Sequence, residues 1–314
     1  MRLNGLSNVP LAASLWRARW DAMDSSARGA VLVSMGSLTL VVMGMVVKVL
    51  GARIPTIEIL FFRSAIGFCF VLPVFMRDPL APLRTARPGM HFVRGAVGTL
   101  GNVLFFWTLT HMLLADAMAL QFSRPLFMIP LAVAMLGEIV GLRRSIVTVV
   151  GFLGIVVYAR PFTAGFDPNV FVGAAGALVG ALVVICIKRL ATTEPTPVIM
   201  FYYAFWTAVL SAIPTAWLWV TPSWVELLLL VTVGFLGIFG QWMITHGWTL
   251  GDATALAPLD YSRIVYSALL GYLVFGEIPG PWSFVGMVLI VASSLYLVLT
   301  EARRAKRVAA GGRD

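Results

Sequence analysis

The sequence predicts an all-α polytopic membrane protein in which ten transmembrane helices form two inverted five-helix repeats. Hydrophobic residues make up 60% of the 314 residues and charged residues only 12%, whereas soluble proteins contain about 45–50% and about 25%. Ten apolar segments approach the roughly 20 residues that a helix needs to cross a bilayer. Several short motifs also recur in the same order in the two halves of the chain.

Each apolar segment is predicted to be one transmembrane helix, and none of the gaps is long enough for another folded domain. The predicted spans are residues 29–49, 56–76, 92–111, 114–136, 144–160, 170–188, 196–220, 224–247, 252–275 and 282–300. The resulting organisation is an N-terminal segment (1–28), a first five-helix repeat (29–160), a second five-helix repeat (170–300) and a basic tail (301–314).

The distribution of arginine and lysine predicts the orientation in the membrane. The segments on one side of the predicted spans carry 17 basic residues, and the segments on the other side carry 2. Because basic residues are retained in the cytoplasm, both termini are expected to be cytoplasmic. The net charge of +9 therefore indicates membrane topology and contact with anionic lipids, not nucleic-acid binding.

The recurring motifs indicate an internal duplication. Three glycines, an aromatic-Ser-Arg motif and a Gly-Glu pair all reappear 139 residues later. The pairs are Gly95, Gly98 and Gly101 with Gly234, Gly237 and Gly240; Phe122-Ser123-Arg124 with Tyr261-Ser262-Arg263; and Gly137-Glu138 with Gly276-Glu277. Five spans are an odd number, so the second copy is inverted. Inverted repeats favour alternating access around a site near the membrane midplane.

Ionisable residues inside predicted spans are the main candidates for function, because charge at bilayer depth costs about 2.5–3.5 kcal/mol on insertion scales. Arg63, Arg124 and Arg263 are expected near the midplane. Asp260 lies three residues before Arg263, on the same helix face, and Gln121 holds the matching position in the first repeat. Either these groups pair to lock the two repeats together, or they line a cavity that binds a polar or charged substrate.

Aromatic and amide residues inside the spans extend this candidate site, although packing is an alternative role for each of them. The predicted substrate-binding residues are Arg63, Asn102, Trp107, Gln121, Arg124, Tyr202, Gln241, Asp260, Tyr261 and Arg263. Tyr203, Trp242 and Tyr266 are further candidates.

Other features of the chain favour structural roles or exclude function classes. Prolines 125, 130 and 258 are expected to interrupt the fourth and ninth spans, and the glycine triplets favour close helix packing over ligand contact. Glu138 and Glu277 are expected to be structural ties or gate elements. The chain has no phosphate-binding Gly-x-x-x-x-Gly-Lys-Ser/Thr motif and no clustered nucleophile and base, so an enzyme, a metal site and a cofactor are not expected.

Together with the ten predicted spans in two five-span copies, three short features resemble the EamA type of the drug/metabolite transporter superfamily. They are Glu58-Ile-Leu-Phe-Phe-Arg63, Pro125 after Ser123-Arg124, and Gly-Glu at the ends of the fourth and ninth spans. The stretches 148–154, 201–203 and 251–258 are similar to bacterial S-adenosylmethionine transporters of that family.

The resemblance implies a secondary carrier in the bacterial inner membrane, with S-adenosylmethionine as the leading substrate. Riboflavin and amino acids are the alternative substrates. A channel and an intramembrane enzyme are remote alternatives. A monomer and a homodimer both remain open, as do the direction of transport and proton coupling.

Overall fold

The computed structural model describes residues 23–72, 85–136, 141–160, 166–251 and 253–309. Within these ranges every regular element is a helix and no strand occurs, so the predicted all-α class is confirmed. Seven of the helices are long and apolar enough to cross a membrane. They are the helices Ser25–Leu50, Pro88–His111, Leu142–Ala159, Asn169–Leu190, Pro197–Leu218, Trp224–Leu250 and Pro281–Thr300.

The described residues form twelve helical segments. They are α1 Ser25–Leu50, α2 Thr56–Val71, α3 Pro88–His111, α4 Leu114–Gln121, α5 Arg124–Leu136, α6 Leu142–Ala159, α7 Asn169–Leu190, α8 Thr196–Leu218, α9 Trp224–Leu250, α10 Ala253–Asp260, α11 Ser262–Phe275 and α12 Pro281–Ala309.

The fourth and ninth predicted spans are each divided into two shorter helices. Phe122 and Ser123 separate α4 from α5, and Tyr261 separates α10 from α11. The hydroxyls of Ser123 and Ser262 donate hydrogen bonds to the carbonyl oxygen three residues earlier, at 2.6 Å and 2.5 Å. These bonds satisfy backbone acceptors at the points where the regular helix is interrupted. The two breaks occupy matching positions of the sequence motif.

Only one of the three prolines lies beside a break. Pro125 is the second residue of α5, where it lacks the N–H that would continue the helix from Gln121. Pro130 lies inside α5 and Pro258 inside α10, and both helices continue through them. The predicted interruption is therefore located at residues 122–123 and 261.

The most extensive helix contacts join the first half of the chain (up to residue 160) to the second half (from residue 166). Helix α1 packs on α9, α3 on α7, α2 on α8, and α6 on α12. Aliphatic side chains of α1, α2, α3 and α9 form the largest buried cluster, which includes Val47, Leu60, Leu109 and Leu230. The two halves therefore share one interior.

Helices α6 and α12 approach closely at glycines. A Cβ atom at Gly286 would lie 2.7 Å from the carbonyl oxygen of Gly154 and 2.7 Å from Cβ of Tyr158. No atom would lie within 4 Å of a Cβ at Gly67 in α2. Of these two positions, Gly286 requires glycine for packing and Gly67 does not.

Replacing Gly286 by Ala is expected to lower the free energy of unfolding by about 1–3 kcal/mol, because α6 and α12 must separate. Gly67→Ala is the matched control and is expected to be neutral or to stabilise its helix by up to about 1 kcal/mol. Thermal melts of both purified variants in detergent measure the difference. Equal melting temperatures would contradict the close approach at Gly286.

Candidate substrate-binding site

Four arginine side chains enter the region between the two halves of the chain. Arg63 comes from α2, Arg94 from α3, Arg124 from α5 and Arg263 from α11. Arg94 is 7% exposed. Among the described residues, Nε of Arg63, Nε of Arg124, and Nε and Nη1 of Arg94 are buried without a hydrogen-bond acceptor. Such donors are costly unless a ligand or water satisfies them.

Tyr203 of α8 lies at the centre of the first part of this group. Asn102 donates a hydrogen bond from Nδ2 to the Tyr203 hydroxyl at 2.7 Å. The guanidinium of Arg94 lies 4.3 Å from the centre of the Tyr203 ring, in a cation–π contact. Arg63 also interacts electrostatically with Tyr203, and its guanidinium lies 5.8 Å from the centre of the Phe106 ring. One tyrosine therefore contacts two arginines and one amide.

Asp260 and Arg263 form the second part of the group. Arg263 Nη2 pairs with Asp260 Oδ1. Ser37 of α1 donates to the same carboxylate oxygen at 3.3 Å and accepts from Arg263 Nε at 3.4 Å. The guanidinium also lies 5.6 Å from the centre of the Phe122 ring, and Phe122 stacks on Tyr261 at 4.4 Å. The ion pair is therefore bordered by an aromatic surface at the two helix breaks.

Arg124 connects the two parts. It interacts electrostatically with Arg263 and Asp260 on one side and with Tyr203 on the other. We call the whole group the arginine cluster, which consists of Arg63, Arg94, Asn102, Arg124, Tyr203, Asp260 and Arg263. Among these described residues, four guanidinium groups face one carboxylate. The excess of positive charge favours an anionic group or water inside the cluster.

Glycines provide the space for three of the arginines. A Cβ atom on any of these glycines would lie 3.0 Å or less from a guanidinium nitrogen. The pairs are Arg63 with Gly237, Arg94 with Gly98, and Arg124 with Gly180. The middle glycine of each recurring triplet thus lies against an arginine. These contacts agree with the predicted packing role of the glycine triplets, and they show that the side chain packed against each middle glycine is an arginine.

The contacts of the arginine cluster cross between the halves of the chain. Arg94 and Asn102 belong to the first half and contact Tyr203 of the second. Ser37 belongs to the first half and contacts Asp260 of the second. Movement of one half against the other would therefore change the cluster directly.

Two of the predicted substrate-binding residues lie beside the arginine cluster but are not central to it. Tyr261 stacks on Phe122 next to the ion pair. Gln121 is the last residue of α4 and is half-buried. Both adjoin the helix breaks that precede Arg124 and Arg263.

Three others lie elsewhere. Trp107 is 41% exposed, stacks on His111 at 3.8 Å and donates to Asn169. Tyr202 stacks on His91 at 4.3 Å, whereas its neighbour Tyr203 contacts the cluster. Gln241 is exposed, and its Nε2 lies 3.3 Å from Thr245 Oγ1. We therefore leave Trp107, Tyr202 and Gln241 out of the site proposed below.

Arg94 is the cluster residue that the sequence did not indicate. Its position near the start of α3 suggested a basic residue at the cytoplasmic end of a span. A useful signal was present, because Arg94, Gly98 and Asn102 follow each other at intervals of four and therefore share one face of a helix.

Comparison with known proteins shows that the chain is similar to transport proteins. An S-adenosylmethionine uptake transporter of Rickettsia felis is 34% identical over 260 residues, which cover 83% of this chain and 88% of the relative. The pseudopaline exporter CntI of Pseudomonas aeruginosa is 32% identical over 282 residues, which cover 89% of this chain and 99% of the relative. One solved crystal structure, 24% identical, matches with a TM-score of 0.57 and covers 90% of this chain and 99% of that one.

The family model of the EamA-like transporter family matches residues 27–160 and again residues 168–299. These two matches cover most of the chain. The family and the relatives are named as transporters, not as enzymes. Together with the seven membrane-spanning-capable helices, they identify a multi-pass bacterial membrane protein. The chain belongs to the EamA-like transporter family of the drug/metabolite transporter superfamily.

Proposed function

We propose that the protein is a secondary transporter that moves a small polar organic metabolite across the bacterial inner membrane by alternating access, with S-adenosylmethionine as the leading substrate. The observation that carries the proposal is the arginine cluster, which has excess positive charge and contacts that cross between the two family-matched halves. A substrate held by both halves can be exposed to either side as the halves move.

S-adenosylmethionine fits the chemistry of the cluster. Its carboxylate suits guanidinium donors that have no protein acceptor, such as Nε of Arg124. Its ammonium and sulfonium groups suit the carboxylate of Asp260 and the faces of the nearby aromatic rings. Its adenine ring suits the stacked pair Phe122 and Tyr261. Riboflavin, one alternative substrate, has neither a carboxylate nor an ammonium group. An aromatic amino acid has both, together with a ring, but lacks the sulfonium group.

The pairing of helices supports ten transmembrane helices in two inverted repeats. If α1–α6 correspond to α7–α12, then the α1–α9 contact and the α7–α3 contact are the same contact in the two copies. The α2–α8 and α6–α12 contacts each join a helix to its own counterpart. This is the pattern that a two-fold axis between the two copies produces, and the odd number of predicted spans in each copy favours an axis in the membrane plane.

The proposed orientation places both termini in the cytoplasm, as the distribution of basic residues favours. The end of the bundle that contains Lys48 then faces outward.

The relatives include one named as an uptake transporter and one named as an exporter, and we propose uptake because the uptake transporter has the greater identity. A monomer contains both halves of the cluster, and a homodimer is the alternative assembly.

Counterflow in proteoliposomes tests this function. Vesicles that contain the purified protein and unlabelled S-adenosylmethionine are expected to accumulate labelled S-adenosylmethionine transiently, because a carrier exchanges one molecule for another through a single site. Riboflavin and an aromatic amino acid are measured in parallel as the alternative substrates.

Vesicles without protein are the control. Accumulation of riboflavin alone, or of the amino acid alone, would contradict S-adenosylmethionine as the substrate but would still support a carrier. Linear flux that does not saturate would indicate a channel, and conversion of the substrate would indicate an enzyme. Absence of exchange with every compound would contradict the proposed substrate class.

A further inference from the structure

A second polar site lies at the outer end of the bundle and shares no residue with the arginine cluster. It is a cavity of about 440 Å³ between the end of α3, the start of α4, the end of α6 and the start of α12. Its lining includes Lys48, Asp116, Tyr158, Arg160, Asp167 and Ser283. The inference drawn from it rests on the orientation and alternating access proposed above.

Asp116 is the central group of this outer cavity. It is 2% exposed, and among the described residues its Oδ1 has no hydrogen-bond donor. The Tyr158 hydroxyl forms a hydrogen bond with the Asp116 carboxylate and also interacts with Ser283 of α12. A carboxylate this deeply buried, with one unsatisfied oxygen and at the edge of a polar cavity, is suited to binding a proton.

The charged groups around Asp116 come from several elements. Lys48 of α1, Glu277 after α11 and Asp167 before α7 all act on it electrostatically. His111 of α3 and Arg160 after α6 also line the cavity. Asp116 therefore lies in a mixed group of acids and bases, in which a change of its own charge alters the balance for its neighbours.

The same neighbours hold the start of the helix that carries Asp116. Lys48 forms an ion pair with Glu277 and donates to the Met112 carbonyl oxygen at 2.5 Å. Glu277 Oε2 accepts a hydrogen bond from the Leu114 amide at 2.7 Å. The connection between α3 and α4 is thus tied to both α1 and the segment that follows α11.

We propose that Asp116 is a proton-binding site and that its proton allows the outer end to close during the transport cycle. The proton comes from the outer solution and binds to a carboxylate oxygen, so no other bond changes. The charged carboxylate needs water and favours an open cavity, whereas the neutral acid tolerates burial. Because α4 ends at the break before Arg124, closure at Asp116 moves the chain that leads into the arginine cluster.

Infrared difference spectra of the full-length protein in lipid, recorded between about pH 8 and about pH 5, test whether Asp116 binds a proton. We expect the carbonyl band of protonated carboxylic acids to lose one component in Asp116→Asn. Asp167→Asn, which changes an acid in the same cavity, is the matched control and is expected to retain that component. Identical spectra for Asp116→Asn and the wild type would overturn the proposal.

Thiol labelling of Thr110→Cys at the cavity tests whether this proton controls closure. The two native cysteines, Cys69 and Cys186, are replaced by Ser in this background. The labelling rate of the protein that retains Asp116 is divided by the rate of the Asp116→Asn variant, because this ratio removes the intrinsic pH dependence of the thiol. The ratio is expected to rise with pH, because loss of the Asp116 proton opens the cavity. A ratio that does not change with pH would overturn the proposal.

Tyr158→Phe keeps the proposal testable if Asp116→Asn does not insert. This variant removes the hydroxyl that bonds the carboxylate, so it is expected to shift the pH at which the infrared component appears, and an unshifted transition would overturn the proposal. No readout here uses a transported substrate. A failed counterflow experiment would therefore contradict the proposed function, but it would not decide whether Asp116 binds a proton.

Discussion

Replacing Arg124 by Ala is expected to raise the KM for S-adenosylmethionine counterflow by about tenfold to 100-fold. Arg124 lies against Gly180 between the two halves, and its Nε has no acceptor among the described residues. A charge-assisted hydrogen bond contributes about 1.5–3 kcal/mol, which corresponds to this range of affinity. The protein is expected to insert normally, because the variant removes a guanidinium whose Nε has no acceptor among the described residues.

The control for this variant is Arg53→Ala. Arg53 is exposed at the end of α1 and pairs with Glu226 outside the cluster, so transport is expected to be unchanged. A chemical control is also available, because a competitor that lacks the carboxylate, decarboxylated S-adenosylmethionine, should inhibit the wild type and Arg124→Ala equally. Wild-type KM in Arg124→Ala would remove Arg124 from the site.

Exchanging the charges of Asp260 and Arg263 is expected to abolish transport even though an ion pair can still form. In the double variant Asp260→Arg, Arg263→Asp, both residues remain three apart on one helix face. However, the carboxylate moves away from Ser37, which donates to Asp260, and the cation moves away from the Phe122 ring. A substrate cation would no longer find the carboxylate in place.

This exchange separates the two roles that the sequence left open for the ion pair. The single variant Asp260→Asn is expected to lower transport by at least about tenfold under either role, because the charge-assisted bond to Arg263 is lost. If the pair only locked the two halves together, the double variant would restore transport to near the wild-type level. Restored transport would therefore show a structural lock and contradict substrate binding at Asp260.

The helical class and most of the helix positions followed from the sequence because they depend on local composition. Apolar segments of about 20 residues predict helices wherever they occur in a membrane protein. Prolines 125, 130 and 258 also indicated which two spans are interrupted. In the structure those two spans contain the breaks at residues 122–123 and 261.

The rotation of each helix about its axis did not follow from the sequence. Neighbouring residues on a helix point about 100° apart, so Tyr202 and Tyr203 cannot be distinguished by composition. Packing of α8 against α3 places Tyr203 against Arg94 and leaves Tyr202 against His91. Gln241 aligned with Asn102 in the repeat, yet Asn102 bonds Tyr203 while Gln241 is exposed.

Glu138 and Glu277 illustrate a further difference. Glu277 forms the ion pair with Lys48 and binds the Leu114 amide, which agrees with a structural tie and also places it at the proposed outer closure. Glu138 lies outside the described residues. Long-range ion pairs of this kind depend on which helix ends meet, and a single sequence contains that information only indirectly.

Equilibrium binding of labelled S-adenosylmethionine to the purified protein tests the central claim most directly, because it measures the arginine cluster without the rest of the transport cycle. We predict saturable binding by the wild type and by Arg53→Ala, and binding at least about tenfold weaker by Arg124→Ala and by the exchanged Asp260 and Arg263 variant. Equal affinity in all four proteins would contradict a substrate site at the arginine cluster.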